Sequence, residues 1–123
     1  MPKPSSPSVK VTYFPKQAVW DALRRLAAEL PQSHPEVRRI IVFGSVASGR
    51  AVPGSDIDLI LTLDSSTERF IDRIPTYTPF GLPAPVQVFP YTTEEIERMT
   101  AQGNQFIKRA LADGIVLFDR DAA

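Results

Sequence analysis

Residues Ile40 to Leu61 read IIVFGSVASGRAVPGSDIDLIL, and the order of features in this stretch decides the fold. Ile40-Ile41-Val42-Phe43 is apolar at every position, as in a central strand covered on both faces. It stops at Gly44-Ser45. A segment of small residues follows to Ser55, with room for one helical turn after Ser45, and a second apolar strand then runs from Asp56 to Leu63. Asp56 and Asp58 are two apart on that strand, so their side chains share a face with Cα atoms about 6.6 Å apart. Both carboxylates can therefore converge on one magnesium ion. Gly44 lets backbone approach a phosphate closely, and Ser45 adds a hydroxyl donor. Carboxylates at the mouth of an apolar strand are costly unless paired or metal-bound, so Asp56 and Asp58 call for a partner.

On the N-terminal side, Val19, Leu23, Leu26 and Leu30 recur at helical spacing and predict an amphipathic helix from Lys16 to Leu30, with Pro15 near its start and Pro31 just past its end. Val9 to Tyr13 alternates as a short edge strand. Residues 1 to 8, with three prolines and three serines, read as a flexible tail ahead of a single domain spanning 9 to 123. On the C-terminal side, a helix is predicted from Ser66 to Arg73, a strand from Val86 to Phe89 stopped by Pro90, and a helix from Thr92 or Thr93 to about Gln102. A last helix from Asn104 to Ala112, closed by a left-handed Gly114, leads to a strand at Ile115 to Phe118. Helices alternating with short strands predict an α/β or α+β fold, a small mixed sheet with helices packed on it.

Composition narrows the chemistry. With 43% hydrophobic residues the 123-residue chain can build a core, and with no cysteine and one histidine it has no disulfide frame, no thiolate or multi-histidine metal site and no thiol nucleophile. No apolar run reaches the roughly 18 to 20 residues of a membrane helix, and MPKPSSPSVK lacks the apolar core of a signal peptide, so a cytoplasmic protein is expected. The 14 basic and 14 acidic side chains cancel, which argues against general nucleic-acid binding. The balance hides two unequal halves, +5 over residues 1 to 50 and −5 over residues 51 to 123.

These residues resemble the minimal nucleotidyltransferases of the DNA polymerase β superfamily, whose signature is a glycine-serine pair ending one strand and, about ten residues on, an S-D-x-D-L opening to the next. Gly44, Ser45, Gly49, Ser55, Asp56, Asp58 and Leu59 fall in register with it. The resemblance runs from about Val19 to Phe118. It implies transfer of a nucleoside monophosphate, AMP from ATP, to an acceptor hydroxyl with release of pyrophosphate. Asp56 and Asp58 would then be the catalytic residues and ligands of two Mg2+ ions, and Gly44 and Ser45 would hold the triphosphate. Arg50 and Ser55 are further nucleotide contacts in this reading. Small members often act with a helical HEPN-type protein, as antitoxin to toxin, and 123 residues leave little for an acceptor-binding domain. Oligomeric state is not legible.

One position departs from the pattern. The family usually carries a third carboxylate on the following strand, and here Gln87 stands in PVQVFPYT. Glutamine brings neither negative charge nor a base near neutral pH. Among the remaining acids, Asp64 lies six residues past Asp58, and Asp72 and Glu94 are the other candidates to fill the gap. His34 reads as an exposed loop residue, Arg38, Arg39, Lys108 and Arg109 as solvated charges, and Trp20, Phe70, Phe89 and Phe106 as core. The alternative function is a binding module that keeps the fold and has lost the chemistry.

Overall fold

A computed structural model describes residues 13–122. The tail at 1 to 8, and all of the expected first strand except Tyr13, lie outside them. In chain order the elements are α1 (Lys16–Ser33), β1 (Val37–Phe43), α2 (Gly44–Ser48), β2 (Ile57–Leu63), α3 (Phe70–Tyr77), β3 (Val86–Thr92), α4 (Thr93–Ala101), α5 (Gln105–Asp113) and β4 (Ile115–Asp119). Among the described residues the strands form one four-stranded sheet in the order β3-β2-β1-β4. β1 is antiparallel to both β2 and β4, and β2 is parallel to β3, so the sheet is mixed as expected.

The two apolar strands of the opening stretch are the two central ones, and helices cover both faces. On one face Val19, Leu23 and Leu26 of α1 pack on Val42, Ile57 and Leu59. On the other, Ile107 and Ala110 of α5 pack on Ile41 and Ile60. Burying an aliphatic side chain of this size is worth roughly 1.5 to 3 kcal/mol, so this double cover holds β1 and β2 in register. Odd-numbered residues of β2 face α1, which leaves Asp58 on the face of Ile60, at the end of the strand where α5 stops covering it.

Several boundaries differ from the sequence reading. α1 continues through Pro31 to Ser33, because a proline in the last turn removes a single backbone bond. The helix expected from Ser66 begins instead at Phe70: the Ser66 hydroxyl accepts from the Glu68 N–H in a turn, and the shifted helix buries Arg73 and Tyr77. β3 runs through Pro90 to Thr92 at the edge of the described sheet, where a missing N–H is tolerated. Gly114 has φ −74°, so it is no left-handed cap. It is required for space, since a Cβ there would lie 2.5 Å from the Ala110 carbonyl and 2.6 Å from Ile41. His34 is half-buried, with its ring 5.0 Å from that of Tyr77.

Candidate active site

The site lies where β1 ends and β2 begins. Antiparallel pairing sets Phe43 opposite Asp58, and the chain turns at once through Gly44, at φ 75°, into α2. Gly44 touches the aspartate directly: a Cβ built on it would lie 2.6 Å from Asp58 Oδ2. The glycine therefore supplies both the left-handed turn and the room for the carboxylate. Ser45 follows in α2, and Asp56 immediately precedes β2.

Asp58 is half-buried, and among the described residues neither it nor Asp56 takes a hydrogen bond or an ion pair. Burial, and then the charge of Asp56, pushes the Asp58 carboxyl above the ordinary aspartate range. A cation between the two side chains would relieve both effects. This donor set, two hard oxygen ligands with no arginine or lysine paired to them among the described residues, suits a divalent ion such as magnesium. No group of three or more His, Cys, Asp or Glu among the described residues is placed to hold a metal. Magnesium commonly takes one or two carboxylates and completes its shell with substrate phosphates and water, so two are enough for a site assembled with its substrate.

Parallel pairing of β2 and β3 sets Gln87 beside Asp58, on the flank away from Phe43. Gln87 is exposed. The other acids weighed for that place are engaged elsewhere. Asp64 binds Arg120 at 2.6 Å at the opposite end of the strand, Asp72 pairs with Arg69 on α3 at 2.9 Å, and Glu94 lies 3.7 Å from Arg98 on α4.

Of the remaining site residues, Arg50 is exposed just after the left-handed Gly49 that ends α2, and its backbone N–H donates to the Ser45 carbonyl. The Ser55 hydroxyl accepts from the Val52 N–H at 2.9 Å, which closes the turn before Asp56 and leaves its own proton free to donate. Lys108 is exposed, and Phe106 is not core: the residue is 40% exposed, on the wall of a cavity that Gly44 also lines. No local pattern announces this, because Phe106 meets the site through packing of α5 on Phe43 and Phe89 of the sheet.

The mixed sheet, with a glycine turn against Asp58 and helices on both faces, is the α/β arrangement expected from the sequence. A family model of the nucleotidyltransferase domain matches residues 23–117, and the chain belongs to that family. The fold is similar to the crystal structure of a candidate nucleotidyltransferase from Sulfolobus solfataricus, with 18% sequence identity, a TM-score of 0.60, and coverage of 88% of this chain and 86% of that one. At that identity the likeness speaks for the fold. No curated protein matches the chain. Among the described residues no helix is long and apolar enough to cross a membrane.

Proposed function

We propose that the protein is a magnesium-dependent minimal nucleotidyltransferase that moves AMP from ATP to an acceptor hydroxyl. The observation that carries this reading is the pair Asp56 and Asp58, uncompensated by any cation among the described residues and set against Gly44 within a nucleotidyltransferase domain. Asp56 and Asp58 would hold up to two metal ions. When bound, magnesium supplies charge neutralisation on the phosphates and on the departing pyrophosphate. Gly44 and Ser45 contact the triphosphate, with Arg50 and Ser55 at its rim. In the reaction the acceptor hydroxyl gives its proton to solvent as its oxygen bonds to the α-phosphorus, the bond from that phosphorus to the bridging oxygen breaks, and pyrophosphate leaves.

The acceptor is proposed to be a HEPN-type helical protein, the chain acting as its antitoxin in a cytoplasmic pair. This rests on the resemblance to small family members. The test is transfer of label from α-labelled ATP with Mg2+ to a helical protein encoded beside this chain. Transfer that falls at least about a hundredfold in Asp58→Ala supports the enzyme, and absence of transfer to any acceptor counts against it.

Gln87 favours a second reading, a nucleotide-binding or partner-binding module with impaired chemistry. Beside Asp58 it cannot take the acceptor's proton, a task worth typically 10²- to 10⁴-fold. Replacement by Gln87→Asp separates the two: a large gain in transfer identifies an impaired site, whereas wild-type transfer already at full rate removes this reading.

A further inference from the structure

A cavity of about 400 Å³ opens between α2 and α5, walled by Phe43, Gly44, Ser48, Phe106, Arg109 and Asp113 among others. We propose that it receives the base of the nucleotide whose phosphates sit at Asp56 and Asp58; the inference rests on that reading of the site. Continuity is the first argument. Gly44 forms part of the cavity wall and also abuts the Asp58 carboxylate, so a ligand anchored at the aspartates extends directly into the cavity.

The second argument is the wall itself. Phe106 packs edge-on to Phe43 at 5.5 Å and tilted to Phe89 at 5.3 Å, which fixes its orientation while the residue stays 40% exposed. A large aromatic held in place yet left uncovered beside a polar site is a stacking surface for a flat heterocycle. Arg109 and Asp113, one turn apart on α5, make no side-chain hydrogen bond or ion pair among the described residues. A guanidinium can lie against a base or a ribose oxygen, and a carboxylate accepts from a ribose hydroxyl or an exocyclic amino group. The volume falls within the range of about 300 to 1,000 Å³ usual for small-molecule sites.

The third argument is where the cavity is not. Asp58 lies on β2 between Phe43 of β1 and Gln87 of β3. A base on the Phe43 flank leaves the Gln87 flank open, and an acceptor can approach there without displacing the nucleotide.

Titration calorimetry with Ca2+ in place of Mg2+, to prevent turnover, tests this with two probes: ATP and inorganic tripolyphosphate. The wild-type chain is expected to bind ATP about tenfold tighter than tripolyphosphate or better, because only ATP carries a base to stack. Phe106→Ala should lose about that factor for ATP and none for tripolyphosphate, and Phe106→Trp should keep it. Ser48→Trp fills the cavity from an exposed helix position and should also weaken ATP alone, with an unchanged melting temperature showing that the fold is intact. Equal affinity of the wild-type chain for the two probes overturns the assignment, as does equal weakening of both in Phe106→Ala and Ser48→Trp. Failure of the wild-type chain to bind either probe overturns the nucleotidyltransferase reading, and this inference with it.

Discussion

Gly44 and Gly49 stand at the two ends of α2 with nearly the same backbone, φ 75° and 78°, yet they have different surroundings. At Gly49 a Cβ would meet nothing within 4 Å, while at Gly44 it would meet the Asp58 carboxylate at 2.6 Å. Alanine at either position is expected to cost about 1 to 2 kcal/mol of stability, the price of a left-handed non-glycine residue. Only Gly44→Ala should displace the carboxylate. Denaturant midpoints and nucleotide transfer measured on both variants check this: similar losses of stability, with transfer falling in Gly44→Ala and near wild type in Gly49→Ala. Equal transfer in the two would remove the contact's significance. The turn itself was legible in the sequence, because an apolar strand running into Gly-Ser has few other readings. The contact was not, since it depends on Phe43 facing Asp58 across an antiparallel pair, and register is a tertiary fact.

The least legible part of the fold is α3, and the reason is an interaction among elements. Arg73, 4% exposed, donates to both oxygens of Glu95 at 2.7 and 3.0 Å and to the carbonyls of Glu68 and Pro90. It ties α3 to β3 and to the first turn of α4. Glu95 also completes the capping box of α4, accepting from the Thr92 N–H while the Thr92 hydroxyl accepts from its own N–H. That capping signal was readable three residues ahead. The Arg73 to Glu95 pair spans 22 residues and no local pattern announces it, so the sequence predicts a helix start four residues before the one observed at Phe70. Glu95→Gln leaves a buried guanidinium without its counter-charge and is expected to cost about 3 kcal/mol, and the double variant Arg73→Met with Glu95→Gln should recover most of it. The pH dependence follows the same pair. The hydrogen bond from Arg73 holds the Glu95 carboxyl below its usual value of 4.5, so its stabilisation is complete above that value and is lost as pH falls through the lower, folded one. Urea midpoints at neutral pH and in the acid range should therefore fall more steeply for the wild-type chain than for Glu95→Gln.

At the scale of the molecule, the zero net charge is resolved by the sheet's two ends. Where β1 starts and β2 and β4 finish, the basic first half meets the acidic second half: Arg38 pairs with Asp121 at 2.8 Å and lies 3.5 Å from Asp64, and Arg39 lies 3.7 Å from Asp119, while Arg120 of the second half also binds Asp64 at 2.6 Å. Those pairs are partly exposed and salt-screened, and they add little stability individually. At the opposite end Asp56 and Asp58 repel one another without such partners among the described residues. Among the described residues charge is therefore paired at one end of the sheet, and the two aspartates are left unpaired at the other. Folding against that repulsion is a cost that a bound cation removes, so a divalent ion should stabilise the native state by mass action. At ten times its dissociation constant Mg2+ contributes about 1.4 kcal/mol, a rise of roughly 5 °C in melting temperature for a domain of this size. Asp58→Asn removes the like charge as well as the ligand. Its melting temperature without metal should equal or exceed that of the wild-type chain, and addition of Mg2+ should leave it unmoved. Sodium chloride at equal ionic strength separates specific binding from screening: if it reproduces the wild-type shift, or if Asp58→Asn still responds to Mg2+, the aspartate pair is not the cation site.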